Sequence, residues 1–575
     1  MNLLGIFHSH SDPSAALMMD DKVVAFVEEE RLSRQKHSFG AFPTRAIRWV
    51  LKRGGLALTD VDAIVQAWDC AKYDGGHIAG HYDKINLSYP TTEGDRAYQQ
   101  NLLQLYRSET QRSLIRRALW REFGDVELPE IRFVNHHLAH ACATFFSSGF
   151  DEALVMSVDG SGEEITTSWW HGRDGALELL HEVKIPHSLG WVYSAFTEYL
   201  GFEAYDGEYK VMGLAAYGSP NSEVQGKIAQ LLWPDDHGGF ETNAMLLTRG
   251  SHSWSHYFSD ALVQHMGRQP AWRDQPVTDW HKDVAFAVQQ RLEDVVFSMT
   301  RYWTRRTGVR RLCISGGVGL NVKMNGNLFE SGIVDDVFAY PLCADLGQSI
   351  GAALAYRYQH AGLTRQRLSD LYLGPGFSDE EIERVLRDCR VEYRKSENIS
   401  GDTAGLLMEG KVVGWFQGRI EAGPRALGAR SILADPRNEA ARDRVNAAIK
   451  YRELWRPFCP SMTREGAERY FDRFTEAPFM VITFRANSRA KAEIPAVVHV
   501  DGTSRPQIVD EETNPRYHNV IAEFGRLTGV PCVLNTSFNI KGEPIVCTPQ
   551  DALRTYFATG LDALAIGNCL LEKFR

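Results

Sequence analysis

Residues 2–28 constrain the fold more than any other stretch of the chain. Residues 2–7, 14–19 and 22–28 are short apolar runs, the last two separated by Asp20–Asp21, and they read as three consecutive strands joined by tight turns. The pattern returns from residue 153, where ALVMSVD is a buried-strand run that continues as strand–turn–strand through SVDGSGEEITTSWW. Two such beginnings, too loosely related for a solenoid, imply duplicated domains. Periodicity adds a helix after Pro43, a strand at 62–68, helical residues at 97–122, and strand then helix in IRFVN–HHLAHACATFF. Further on come a long helix near 281–305, the strand RRLCISGG before a helix near Leu320, and another strand–loop–helix in DVFAYPLCADLGQSIGAALAYRY. A chain of 575 residues exceeds one core. Turn formers in LSDLYLGPGFSDEE place a boundary near 366–378. The expectation is an α/β protein with a duplicated domain over 1–370, a linker over 371–394 and a separate α/β unit over 395–575.

Several classes are disfavoured. Nine scattered cysteines include no CxxC pair, which argues against a disulfide framework and fits a reducing, cytoplasmic setting. The start, MNLLGIFHSHSDPSAAL, lacks the basic and apolar regions of a signal peptide, and no run approaches the ~20 apolar residues of a membrane helix. A net charge of -10 disfavours a nucleic-acid partner. Monomer and homodimer both remain open.

Against that acidic background, Arg419–Arg456 carries nine Arg or Lys and only five Asp or Glu among its 38 residues, with Gly423, Pro424 and Gly428 interspersed. Arginine forks match phosphate oxygens, and glycine lets a backbone approach a ligand closely. Arg425, Lys450 and Arg456 from this stretch, with Arg505 in GTSRPQ and Asn535 in LNTSFN, suit a ligand bearing both a phosphate and an amide. The bland alternative is scattered surface polarity.

His136 and His140 in NHHLAHA are four apart, so a helix puts both imidazoles on one face, within reach of one metal. Asp345 in CADLGQS is a candidate third ligand, and two His with one carboxylate suit iron or zinc. His137 points off that face. Two glycine-rich turns, each after a strand, suit an anion: DGSGEE with Asp159 and Gly160, and SGGVGLN with Gly316, Gly317 and Asn321. Lys210 in GEYKVMGLAAYG can add a cation.

SAAL, EEERLSRQKH, NHHLAHA, DGSGEE, KVMGLAAYG, SGGVGLN, EAGPRALGARS, KYRELWRPF, SRPQ and LNTSFN stand in an order that resembles the O-carbamoyltransferase family of the NodU type. That family includes enzymes acting on cephamycins, ansamycins and tobramycin, and the resemblance runs nearly end to end. It implies an actin/sugar-kinase-like (ASKHA-type) duplicated domain for metal-dependent carbamoyl transfer. It also implies a C-terminal double-stranded-RNA-binding-like α/β domain that forms carbamoyl adenylate from carbamoyl phosphate and ATP with Mg(2+). The resemblance assigns His136, His140 and Asp345 to Fe(2+), the Asp159–Asn321 set with Lys210 to nucleotide in the transfer site, and Arg425, Lys450, Arg456, Arg505 and Asn535 to carbamoyl phosphate and ATP. Lys36 matches a position that binds the anionic donor. The chain departs from the family's HDxSAAL, reading SDPSAAL, with Ser11 where the family has His. Asp12 is therefore the preferred base and His10 the second choice. The resemblance implies a small-molecule hydroxyl as acceptor; segments 69–96 and 233–276, rich in Trp, Tyr and His, suit stacking against it and equally suit ordinary packing. A tRNA threonylcarbamoyl-type transferase and a sugar-kinase-like ATPase are the competing readings.

Overall fold

The computed structural model describes residues 1–8, 11–89, 91–247, 258–272, 275–450, 453 and 455–573. Two compact units emerge, and neither is one continuous piece of chain: the first comprises 1–7, 15–23 and 51–367, the second 8–14, 24–50 and 368–575.

The strands expected from the apolar runs form as Asn2–Phe7, Ser14–Met19 and Lys22–Glu28. They belong to a five-stranded sheet whose spatial order, numbering its strands along the chain, is 3-2-1-4-5, with Ala63–Ala67 fourth and Glu130–Val134 fifth. The first, fourth and fifth strands run parallel. The second sheet repeats this arrangement. Glu152–Val158, Ile165–Arg173 and Ala176–Lys184 form an antiparallel meander, and Arg311–Ser315 and Asp336–Ala339 add parallel strands on the other side of the first, again in the order 3-2-1-4-5. This repeated topology is the actin/sugar-kinase-like duplication. The central strands read as unbroken apolar runs because both faces are covered; every residue of Ala153–Val158 is buried.

Between the fourth and fifth strands of the first sheet lies a helical insertion: Cys70–Asp74, His77–Ser88, Glu93–Leu105 and Ser108–Phe123. Thr92 caps the third of these helices through a reciprocal pair with Asp95. The long helix forms as Asp279–Thr307, ended by Gly308 at φ 77°.

The second unit is built on an eight-stranded mixed sheet in the order Arg394–Lys395, Cys569–Glu572, Ala563–Ile566, Val413–Phe416, Arg430–Ala434, Cys532–Ser537, Cys459–Met462, Gln507–Ile508. Residues 371–394 include the helix Asp379–Asp388, capped by Ser378 and Glu381. All nine cysteines are thiols. Among the described residues no helix is long and apolar enough to cross a membrane.

Candidate functional site

In the first unit the strand Glu130–Val134 runs into Asn135, whose side-chain oxygen accepts from Leu138 N (2.8 Å) and starts the helix His136–Ser148. One face of that helix carries His136 and His140, both buried. Asp345 arrives from the loop before the helix Gln348–Ala361, and Gln348 Nε2 donates to the His136 carbonyl (3.1 Å), tying the two helix starts together. One ligand atom from each of His136, His140, Asp159 and Asp345 lies within 4.8 Å of all the others.

The fourth member, Asp159, was expected in a phosphate loop. Its Oδ2 stands 3.3 Å from His136 Nε2 and 3.0 Å from His140 Nε2, while its Oδ1 accepts from Gly160 N (2.7 Å) and Gly317 N (3.2 Å). The two glycine turns thus cradle an anion, and that anion is the protein's own carboxylate. Gly316 permits the approach: at φ 84°, a Cβ there would stand 2.1 Å from the Val158 carbonyl oxygen.

The electrostatics favour a cation. Burial alone would keep the His136 imidazole neutral, yet Asp345 and Asp159 overrule it and raise its pKa to about 9. Asp159 is held well below the usual carboxylate range by hydrogen bonds from both imidazoles, in spite of its burial. Asp345 Oδ1 is buried with no hydrogen-bond partner among the described residues, although the imidazoles lie 3.4 and 3.7 Å away. Two imidazole nitrogens and two carboxylates, one with an unsatisfied oxygen, fit a divalent transition metal. His137 takes no part: its Nε2 donates to the Ile165 carbonyl (3.0 Å), its Nδ1 meets the Ser168 hydroxyl (3.1 Å), and burial lowers its pKa strongly.

The remaining expected residues of this unit divide. Gly160 and Gly317 line the group through their N–H groups. Asn321 is used internally: its oxygen caps the helix Val322–Glu330 by accepting from Met324 N (3.0 Å), and its amide exchanges hydrogen bonds with Gln289 (2.9 and 3.0 Å). Lys210 is half-buried in the helix Glu208–Leu214 with its ammonium 5.7 Å from the Phe202 ring centre. Glu163, beyond what the motif suggested, accepts from His136 N (3.1 Å) and from Asp69 N (2.5 Å), joining the helix His136–Ser148 to the insertion. Trp68 stacks on Tyr106 (4.5 Å) and meets the His136 ring edge-on (5.5 Å).

The second unit holds the other candidates. Asp12 has φ 54° and His37 φ 60°; Asp12 N donates to the His37 carbonyl (2.9 Å), and Asp12 Oδ1 lies 2.8 Å from His37 Nδ1. Left-handed backbone at two such adjoining residues is held only by the structure around it, here including His37 N donating to Glu30 Oε2 (2.8 Å). His37 was not singled out from the sequence, although it directly follows Lys36, which is half-buried in the same short turn. His10 lies outside the described residues.

The second unit's sheet gathers the anion-suited set around the strand Cys532–Ser537. Asn535 is buried opposite Leu433 on one side and Cys459 on the other. Its Nδ2 donates to Ala426 O and Ser461 Oγ (both 3.0 Å), which brings the Arg425 loop to its side. Arg505 turns Nε and Nη2 onto Cys459 Sγ (3.0 and 2.8 Å). Lys450 ends a π-helical turn and is 5% exposed; its ammonium meets Asn539 Oδ1 (2.7 Å), Ser537 Oγ (3.0 Å) and Asn539 O (3.1 Å). Arg456 lies 3.7 Å from Glu453, three residues before Cys459. Other arginines of the basic stretch are structural. Arg430 is wholly buried against Phe416 (3.6 Å), and burial lowers its pKa to about 10, while Arg437 pairs with Asp435 (2.8 Å).

Residues 2–354 match the family model described as the carbamoyltransferase N-terminus, and residues 404–573 match the one described as the carbamoyltransferase C-terminus. The nodulation protein NolNO of Sinorhizobium fredii is 37% identical over 576 residues, covering 98% of this chain and 79% of that protein. NolO of Bradyrhizobium diazoefficiens is 39% identical over 449 residues, 76% of this chain and 79% of its own. An uncharacterized protein of Synechocystis sp. is 36% identical over 608 residues, with 100% and 97% covered.

Proposed function

The chain belongs to the carbamoyltransferase family, and from that premise we propose that it is an ATP-dependent O-carbamoyltransferase working in two half-reactions. In the first, water cleaves carbamoyl phosphate to carbamate and inorganic phosphate. The carbamate oxygen then attacks the α-phosphorus of ATP, held with Mg(2+), and pyrophosphate leaves. In the second, a hydroxyl of a natural product attacks the carbonyl of the resulting carbamoyl adenylate and AMP departs.

The observation that carries this reading is the Asn535 amide. Its Nδ2 side is fixed by the Ala426 carbonyl, so its Oδ1 is the atom turned the other way, and that oxygen is buried without a hydrogen-bond partner among the described residues. A buried acceptor without a donor is costly unless a ligand supplies one. The carbamoyl NH2 is such a donor, and Arg425, Lys450, Arg456 and Arg505 supply the positive charge its phosphate and the nucleotide need. Carbamate enclosed there is shielded from bulk water until ATP captures it.

His136, His140, Asp159 and Asp345 fit Fe(2+), which when bound would stabilise negative charge on the departing phosphate oxygen. In the first unit Gly160 and Gly317 fix Asp159, and Lys210 adds positive charge for an anionic donor. In the second unit Lys36 offers a cation, and Asp12, beside His37, is the base for the hydroxyl proton. Trp68 and Tyr106 offer an aromatic wall to the acceptor beside His136. Enzyme, ATP and labelled pyrophosphate test the reading directly. Label entering ATP only when carbamoyl phosphate is present supports it, and exchange independent of carbamoyl phosphate defeats it.

A further inference from the structure

The EEERLSRQKH motif lies near the start of the chain, yet residues 24–50 fold as part of the second unit. There Glu28 and Arg31 take hold of one residue, Gly423. Gly423 N donates to Glu28 Oε1 (2.7 Å), and Arg31 Nη2 donates to the Gly423 carbonyl (2.7 Å). Glu28 and Arg31 are 4% and 3% exposed and lie 3.5 Å apart, so both polar groups of the Gly423 backbone are gripped by one buried ion pair. Gly423 has φ 92°, a conformation that fixes how the chain enters Pro424 and Arg425. Glu30, which precedes Arg31, also meets it.

Arg34 grips a second loop. It ends the helix Glu29–Ser33 in left-handed backbone (φ 60°) and sends Nη1 to the Ile545 carbonyl (2.6 Å) and Nη2 to the Pro544 carbonyl (2.9 Å), with Nε 3.3 Å from Asp551. Residues 544–545 close the loop that holds Lys450: Asn539 Oδ1 accepts from the Lys450 ammonium (2.7 Å), and Asn539 Nδ2 donates to the Glu543 carbonyl (2.7 Å). One short helix therefore holds the loop that leads to Arg425 and the loop that anchors Lys450.

We infer that Glu28, Arg31 and Arg34 are positioning residues for carbamoyl-phosphate activation, setting the Arg425 and Lys450 loops for an anionic substrate. The inference rests on the two-step reading above. A guanidinium can donate in several fixed directions at once, whereas an ammonium presents a point charge, so lysine cannot reproduce either grip. The variants are R31K, R34K and R34Q in the full chain, with folding checked by thermal melting. The expected result is a KM for carbamoyl phosphate raised at least ~10-fold in pyrophosphate exchange, with transfer from supplied carbamoyl adenylate changed less than ~2-fold. If R31K fails to fold, the R34 pair decides, since Arg34 is nearer the surface (19% side-chain exposure against 3%). Folded variants with an unchanged KM, or with equal losses in both half-reactions, overturn the inference. Wild-type protein without carbamoyl-phosphate-dependent exchange defeats the two-step reading and the brace with it. Wild-type exchange with unaltered variants defeats the brace alone.

Discussion

Asp159 Oδ2 lies 3.0 Å from His140 Nε2, while the other oxygen of the same carboxylate is occupied by two backbone N–H groups. This fixes which oxygen faces the imidazoles. The glycine turns at 160 and 316–317, which suggest phosphate binding in the sequence, instead orient a carboxylate toward the two imidazoles. A rigid donor set loses little freedom on binding its metal, and the groups that orient a ligand contribute to affinity alongside the ligand itself.

Asp159→Asn is therefore expected to weaken metal binding at least ~10-fold and to remove most carbamoyl transfer. Pyrophosphate exchange should survive. Elemental analysis of purified wild-type protein should find roughly one metal ion per chain. Wild-type metal content and affinity in the Asp159→Asn protein would show that His136, His140 and Asp345 suffice.

Lys450→Ala and Arg456→Ala are expected to lower exchange at least ~30-fold and to leave transfer from supplied carbamoyl adenylate largely intact. On the proposed reading each substitution removes a charge-assisted hydrogen bond to the substrate, at a cost of ~2–3 kcal/mol or more. Lys450 carries a second cost, because its buried ammonium also satisfies Asn539 and Ser537. Its alanine variant should melt at a lower temperature than the Arg456 variant. Equal loss of both half-reactions in folded protein would contradict separate sites.

The same contrast explains how much was legible in the sequence. The strands at 2–7, 14–19 and 22–28 and the His136–His140 helix follow from local periodicity, which one segment carries by itself. Asp345 is a candidate from sequence because it sits in a loop before a helix, where an open carboxylate is expected, and in the fold it lies with His136, His140 and Asp159. The sequence points Asp159 to phosphate because it shows that glycines surround it, not what their N–H groups face. Asn321 had the right setting for a ligand but spends its amide on a helix cap and Gln289. The placement of 24–50 with the second unit depends on partners nearly 400 positions away, such as Gly423 for Glu28, and no local pattern encodes that. Nothing local marks His37, because its partner Asp12 is 25 residues distant.

Asn535 offers a test of substrate discrimination. Acetyl phosphate has a methyl group where carbamoyl phosphate has its NH2, so it leaves Asn535 Oδ1 without a donor. Wild-type enzyme should support little exchange with acetyl phosphate. Asn535→Ala should reduce kcat/KM for carbamoyl phosphate by ~10-fold or more and bring the two substrates closer together, as expected when a buried hydrogen-bonding group is removed. A discrimination ratio unchanged by the substitution would place the NH2 elsewhere.

The base can be tested beside Ser11, where the chain reads SDPSAAL rather than HDxSAAL. An alcohol attacks a carbonyl poorly unless its proton is accepted as the bond forms, and such help is typically worth ~10²–10⁴-fold. Asp12 is the residue proposed for that task, and the structure gives it a partner, His37, 2.8 Å away. Two arrangements are possible for such a pair. Either the carboxylate takes the proton and His37 orients it, or the imidazole takes the proton and Asp12 fixes its tautomer. Asp12→Asn keeps size and turn-forming capacity but removes the negative charge, so both arrangements expect transfer to fall at least ~100-fold with exchange unchanged. His37→Gln separates them. Glutamine can still hydrogen-bond the carboxylate but cannot accept a proton in this pH range. The assignment to Asp12 expects a smaller loss in His37→Gln than in Asp12→Asn, measured as the single-turnover rate from supplied carbamoyl adenylate. A His37→Gln loss equal to that of Asp12→Asn makes the imidazole the base, and normal transfer by Asp12→Asn removes the pair from the mechanism.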